Sequence, residues 1–445
     1  MGLAGSSCTP QGPSCSSRSR TVQGESTNSR PRRRVSHDIT YKITYKIIGL
    51  KPSWNHTLTK NQGGTPASCI FASAIFLCRI LTATTSTGKC AERRATSALP
   101  GHRGPERAVA IPSCAGQTKT VSETYDLICI GAGPTGLASA IEAKRAGMHP
   151  LVIDKACLCN SLYRYPTNMV FFTTPELLEI GDLPLTCAAE KPTRVEALKY
   201  YRKTAEHYQL DLRLYEGVER VEGSDCRFVV HTRTTRGIVN HYAAKKIVVA
   251  TGYYDLPNRL DVPGEDLPHV SHYYTEAHPF WHQDVVVIGG KNSAAEAALD
   301  LFRAGARVTL VHRRAQLGAT IKYWVRPDIE NRIKAGQIRA LFETRVTRIE
   351  PAQVWVQGAN GERALPAAQV FALTGYHPDF DFLRRLGITL DPQTNKPAMN
   401  PQTFESNVPG IHLAGVVIGG NNVGEIFIEN GRFHGKQIVA ALGGK

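Results

Sequence analysis

From about residue 121 onward the chain is punctuated by short apolar runs that give way to stretches of helical period. Tyr125–Ile130 is apolar at nearly every position, the pattern of a strand buried on both faces. The alanine-rich Leu137–Ala146 that follows predicts a helix, with Gly147 as its C-terminal stop, and Pro150–Ile153 predicts the next strand. About 160 residues later the plan returns. Val285–Ile288 predicts a strand, Ser293–Ala304 a helix, Gly305 its end and Arg307–Val311 another strand. Two more runs, Lys245–Ala250 and Val370–Leu373, stop at Thr251-Gly252 and Thr374-Gly375, and Ile411–Val417 predicts a last strand. Strands alternating with helices in this way predict an α/β fold with parallel sheets.

The turns between these elements carry the candidate chemistry. The first places Gly131, Gly133 and Gly136 in G-x-G-x-x-G register, with Pro134 and Thr135 between them. In that register Gly131 makes a tight turn, Gly133 lets the backbone approach a pyrophosphate, and Gly136 lets helix and strand pack closely. The helix start then faces the phosphates with unpaired N–H groups. Asp154, next to Lys155, lies about 20 residues on, where an acid meets the hydroxyls of an adenosine ribose. The second turn is Gly289-Gly290-Lys291-Asn292-Ser293, with Lys291 in place of the second glycine. The pyrophosphate there either sits differently or is touched by Lys291 itself. His312-Arg313-Arg314 replaces the acid, and arginines at that position suit the 2′-phosphate of NADPH. A ligand-free βαβ turn at the first site and a solvated basic turn at the second are the alternatives. Two dinucleotide sites in one chain point to hydride transfer from a nicotinamide to a flavin, hence to NADPH and FAD.

The fold class expected is α/β, with two Rossmann-like dinucleotide-binding domains. A discontinuous FAD domain (residues 121–253 and 367–445) carries an inserted NADPH domain (254–366). Composition, 42% hydrophobic and 20% charged, suits a globular protein. The net charge of +15 suggests nucleic acid until it is located. Residues 1–120 hold 17 Lys+Arg against 4 Asp+Glu, and the remainder holds 36 against 34. The body therefore carries no basic field and no basic-aromatic array for nucleic acid. The first 120 residues also hold six of the 11 cysteines, at no metal-like spacing, and no methionine occurs between Met1 and Met148. Their apolar run Ala67–Cys78 falls short of the roughly 20 residues a membrane span needs. This segment is expected to be disordered or spurious, with initiation near Val121; a targeting segment is the alternative. Neither a membrane span nor a metal site is expected, and cysteine usage suits the cytoplasm.

Four blocks are more specific than the glycine turns: Ser161-Leu-Tyr-Arg-Tyr-Pro166 with Phe171-Phe172, Glu179-Ile-Gly-Asp182, Ile321–Glu330, and Ile426–Gly435. Through them residues 121–445 resemble the two-domain, thioredoxin reductase-like flavoprotein disulfide reductases and, more closely, the bacillithiol disulfide reductase (YpdA-type) family. The resemblance implies an FAD-containing, NADPH-consuming enzyme that reduces a low-molecular-weight disulfide, bacillithiol disulfide or a relative of it. It also implies a homo-oligomer and a bacilliredoxin-like protein partner. Thioredoxin reductases carry C-x-x-C in the NADPH domain, and this chain has none. Family members often have a cysteine just before the third glycine, where this chain has Thr135. A cysteine relay would fall to Cys157 and Cys159, which form only C-x-C; otherwise the flavin acts on the disulfide more directly. Tyr165 falls where the chain passes the isoalloxazine, and Gly415-Val416 stands where thioredoxin reductases have Gly-Asp. Lys322, with Tyr323, Trp324 and Arg326, is a candidate for holding NADPH or an anionic substrate, or else belongs to a packed amphipathic helix. Asn421, Asn422 and Glu429 lie near a helix start facing the flavin. His434 is an acid or a surface histidine. Two rival classes stand beside this one: a flavin monooxygenase and a non-catalytic NADPH/FAD redox sensor.

Overall fold

The computed structural model describes residues 124–443; the expectations of disorder, targeting or late initiation for the first 120 residues lie outside the described residues. Strand β1 (Thr124–Ile130) leads into helix α1 (Pro134–Arg145) and β2 (Pro150–Asp154). Short α2 (Asn160–Tyr163), then α3 (Arg194–His207), precede β3 (Asp211–Leu214), β4 (Glu216–Ser224), β5 (Arg227–Thr234) and β6 (Val239–Val249). Next come β7 (Leu256–Pro257), β8 (Val270–Ser271), β9 (Asp284–Ile288), α4 (Asn292–Arg303), β10 (Arg307–Val311), α5 (Arg326–Lys334) and β11 (Arg339–Leu341). Strands β12 (Arg345–Glu350), β13 (Gln353–Gly358), β14 (Gly361–Pro366), β15 (Gln369–Ala372) and β16 (Tyr376–His377) follow. The chain ends in α6 (Phe380–Arg385), β17 (Ile411–Leu413), α7 (Ile428–Gly431) and α8 (His434–Ala441).

Two main sheets result. In the first, the order is β3-β2-β1-β6-β5-β4, with β17 also on β6. Strands β3, β2, β1, β6 and β17 are parallel, and β4–β5–β6 form an antiparallel meander. The second sheet, β11-β10-β9-β15-β8, is parallel throughout. Helices cover one face of the central strands, and the meander with α6 or the β12–β14 strands cover the other, so Leu127, Ile128 and Cys129 in β1 and Val286 and Val287 in β9 are fully buried. This burial on both faces explains why these strands read as unbroken apolar runs.

The two units repeat one device. Gly131 N donates to Ile153 O and Ala250 N to Ile130 O; in the second unit Gly289 N donates to Val311 O and Leu373 N to Ile288 O. Each glycine turn thus lies against the strand that ends in Thr-Gly. A Cβ on Gly131 (φ +114°) would stand 2.4 Å from Ala250 O, and one on Gly289 2.5 Å from Leu373 O.

Some expectations shift. Helix α1 begins at Pro134 rather than Leu137, because proline at the first helical position has its φ already set. The last strand stops at Leu413 instead of Val417: Gly415 (φ +78°) turns the chain into a 3₁₀ turn over Gly415–Gly419. Strand β15 pairs with β9, so the second sheet extends past the expected 366/367 boundary, to the Thr374-Gly375 turn. Among the described residues no helix is long and apolar enough to cross a membrane.

Candidate dinucleotide and redox cleft

Both glycine turns open into one cleft of about 1510 Å³, lined from the first unit by Gly133, Pro134 and Thr135 and from the second by Gly289–Ser293. The volume exceeds the roughly 300–1,000 Å³ of a site for one small ligand. In the first turn the three glycines differ physically. A Cβ on Gly136 would lie 1.9 Å from Gly131 O, whereas one on Gly133 would meet nothing within 4 Å. Gly131 and Gly136 are therefore demanded by packing, and the space beside Gly133 is open to a ligand. The buried Thr251 hydroxyl in the same wall has no partner within the protein. An open cradle at a helix start, next to an orphaned hydroxyl, fits a dinucleotide phosphate.

Asp154 lines the cleft and braces the turn. Its carboxylate accepts from Ala132 N at 2.7 Å and from Ala156 N at 2.8 Å. Burial raises its pKa against the pull of those two N–H groups. Lys155, expected beside the cofactor, instead turns away to Asp255 (2.9 Å) with its side chain more than half exposed, and it does not line the cleft.

Thr135 sits in a slot between two glycines: a Cβ on either Gly415 or Gly431 would come within 3.1 Å of its hydroxyl oxygen. Tyr165 packs edge-on against Tyr254, ring centroids 4.8 Å apart, and both line the cleft with Thr251, Gly252, Gly415 and Glu429. The Glu429 carboxyl is raised by burial, opposed by a hydrogen bond from the Thr173 side chain. Asn421 also lines the cleft, but its amide is engaged outward with Gln393 O and Asn395.

Three catalytic candidates are corrected. His434 is neither a cleft acid nor a surface histidine. It is 7% exposed, stacks on Phe404 at 4.3 Å and accepts from Gly415 N at Nδ1 (3.0 Å), and burial lowers its pKa to about 4. It props the Gly415 turn from behind. Cys159 lines the cleft but is buried, with left-handed backbone (φ 52°), and burial raises its thiol well above the usual range. Cys157 does not line the cleft; burial raises its thiol too, and the Asp154 carboxylate adds to the effect. Both cysteines are free, and neither has the lowered pKa of a reactive thiolate.

In the second unit Arg313 and Arg314 line the cleft with His312. The His312 ring packs so closely on the turn that a Cβ on Gly290 would lie 2.3 Å from it. His312 Nε2 is buried without a partner, a second orphaned atom at a nucleotide turn. Burial first, then Arg314 and Arg313, lower the His312 pKa. Lys291 caps α4 by backbone alone, and Ser293 follows it into the cleft wall. Asn292 ties down a loop: its side chain accepts from Lys322 N (2.9 Å) and donates to Thr320 O (3.1 Å).

Lys322 is held by Glu296 (2.7 Å) and lies over the rings of Phe172 (5.6 Å) and Trp324 (5.7 Å). Phe172 meets Phe427 edge-on at 5.7 Å, and Lys191 lies 5.2 Å from the Trp324 ring. The segment Ile321–Val325 is thus a loop before α5 that bridges the two units, rather than part of a packed helix. This half-exposed aromatic and basic mouth joins chain segments more than 130 positions apart, so local pattern gave no signal for it.

The model of the pyridine nucleotide-disulphide oxidoreductase family matches residues 128–415. Bacilliredoxin reductase Bdr of Bacillus subtilis (strain 168) is 44% identical over 319 residues, covering 71% of this chain and 96% of that protein. The structure of the bacillithiol disulfide reductase Bdr (YpdA) from Bacillus cereus shares 42% identity, covers 72% of this chain and 99% of its own, and superposes with a TM-score of 0.70. Its counterpart from Staphylococcus aureus gives 40%, 72%, 98% and 0.68. The chain is an FAD- and NADPH-using oxidoreductase that belongs to the pyridine nucleotide-disulphide oxidoreductase family and, within it, to the Bdr (YpdA) group.

Proposed function

We propose that this enzyme reduces the disulfide of a low-molecular-weight thiol with NADPH, bacillithiol disulfide being the first candidate. The observation that carries this reading is the single cleft into which both dinucleotide turns open. When bound, FAD and NADPH supply a hydride relay with the net balance NADPH + H⁺ + RSSR → NADP⁺ + 2 RSH. The open backbone at Gly133, with Pro134, Thr135 and Gly136 at the start of α1, receives the FAD pyrophosphate. Asp154 meets the ribose, Tyr165 and Gly415 flank the ring system, and Thr251 and Gly252 supply polar contact from the neighbouring strand end. Gly289, Gly290, Lys291 and Ser293 cradle the NADPH phosphates. Arg313 and Arg314 hold the 2′-phosphate, and Lys322 fixes the mouth of the site. The FAD domain resumes after Gly375. A homo-oligomer in the cytoplasm, with a bacilliredoxin-like protein as a further acceptor, completes the proposal; the free cysteines suit a reducing compartment.

The test is anaerobic NADPH oxidation by the FAD-loaded protein, with and without bacillithiol disulfide. Turnover that depends on the disulfide is expected. Flavin reduction with no such dependence would move the acceptor elsewhere. Arg313→Ala with Arg314→Ala should raise KM for NADPH about 10–100-fold, the loss of one or two charge-assisted bonds, and leave NADH nearly unchanged. An equal effect on both coenzymes would remove the 2′-phosphate role.

A further inference from the structure

Glu429 places a carboxyl group in the cleft wall. It lies in α7, which continues into Gly431, the residue that closes the slot around Thr135. It lines the cleft with Thr135, Tyr165, Gly415 and Phe427, while Phe427 reaches the exposed mouth where it meets Phe172. Glu429 therefore belongs to the short segment that runs from the mouth at Phe427 to the slot at Gly431. The groups around it are few. The buried Thr173 side chain lies near enough to favour its charged form; Tyr165, on the chain after α2, and Tyr201, on α3, are the neutral phenols that interact with it; Arg432, three residues on along its own chain, is the nearby cation. The Arg432 guanidinium is committed to Glu176 O and Glu179 O (2.7 and 2.6 Å) and makes no ion pair with Glu429.

We propose that Glu429, in its acid form, protonates the thiolate that leaves when the substrate disulfide is cleaved. This rests on the disulfide reading above. Cleavage by a hydride equivalent breaks the S–S bond and yields one thiol and one thiolate. The Glu429 O–H proton then converts the thiolate to the second thiol, and the carboxylate regains a proton from solvent. Neither Cys157 nor Cys159 is required. Burial favours the acid form the step needs, since it raises the carboxyl above its usual value. An alkyl thiolate, with a thiol pKa of about 8.5, gains from protonation as it leaves. An aryl thiolate of low pKa leaves without it.

The experiment compares wild type and Glu429→Gln with bacillithiol disulfide and with the aryl disulfide 5,5′-dithiobis(2-nitrobenzoate). The variant should lose about 10²-fold or more in kcat on the alkyl disulfide, a typical general-acid contribution, and little on the aryl one. Wild-type kcat on the alkyl disulfide should fall as pH rises through the Glu429 pKa, and this limb should vanish in the variant. Thr173→Val removes a hydroxyl that favours the carboxylate, so it should move the limb to higher pH. Independently of turnover, a pH-dependent shift in the absorbance of bound oxidised flavin should be present in wild type and absent in Glu429→Gln. Equal losses on both disulfides, or a pH limb or flavin shift that persists in the variant, would overturn the assignment while leaving the reductase reading intact. No turnover of either disulfide by wild type would overturn the reductase reading and this assignment with it.

Discussion

Gly133 and Gly136 stand three residues apart in one turn and are glycines for opposite reasons. At Gly136 an added methyl would overlap Gly131 O at 1.9 Å, a clash with backbone that nothing can relieve by rotating. At Gly133 the same methyl meets open space in the cleft. Gly136→Ala is therefore expected to fold poorly, with a large loss of soluble yield and melting temperature. Gly133→Ala should fold normally and bind FAD about tenfold or more weakly, because the methyl occupies the approach of the pyrophosphate. Equilibrium FAD titration of the two variants separates these outcomes, and normal FAD affinity in Gly133→Ala would remove the phosphate from that spot. His434 gives a second prediction at this scale. Its folded pKa of about 4 lies below the ordinary 6.5, so the folded state resists the proton that the unfolded state takes up. The stability that results is complete above pH 6.5 and declines as pH falls toward 4, by at most about 3 kcal/mol. His434→Gln keeps an acceptor near Gly415 N but cannot titrate. Melting curves from pH 7.5 to 4.5 should show a shallower decline for the variant; parallel curves would refute the neutral-histidine reading.

At the scale of elements, what the sequence announced was what depends on neighbours in the chain. The apolar runs other than Ile411–Val417, the helix ends closed by Gly147 and Gly305, and the two Thr-Gly ends form where their residues say, because burial on both faces and glycine at the turns are local demands. Strands β4 and β5, the first half of β6 and the β12–β14 hairpins carry mixed, half-exposed patterns and were not announced. The Phe172–Phe427 and Lys322–Phe172 contacts were hidden for another reason: they join segments whose meeting only the tertiary fold decides. The segment around α2 shows how a motif can mislead. Cys157-Leu-Cys159 looked like a redox pair, yet Cys159 is a buried left-handed residue that starts α2, and its N–H serves Ala132 O. Replacing both cysteines, Cys157→Ser with Cys159→Ala, should leave disulfide-dependent NADPH oxidation within a few-fold of wild type. A loss of two orders of magnitude with FAD content unchanged would restore a cysteine relay.

At the scale of the whole molecule, charge and chemistry are carried by different parts of the chain. Every residue lining the cleft lies between Gly133 and Glu429, and the family match spans 128–415. The first 120 residues hold nearly all of the +15 net charge, while the rest is almost balanced. NADPH and FAD are polyanions, so a strongly basic segment on the same chain can raise their encounter rate through long-range attraction. That attraction is screened beyond about 8–10 Å at physiological salt and leaves the bound geometry untouched. Protein comprising residues 121–445 should therefore bind FAD and turn over with the kcat of the full chain. Any difference should lie in kcat/KM for NADPH at low salt, larger for the full chain and erased as ionic strength rises. Steady-state kinetics of the two proteins across a salt series distinguishes the cases. A lower kcat or a lost flavin in the shorter protein, at any salt, would mean that the first 120 residues contribute to the site itself and not merely to the field around it.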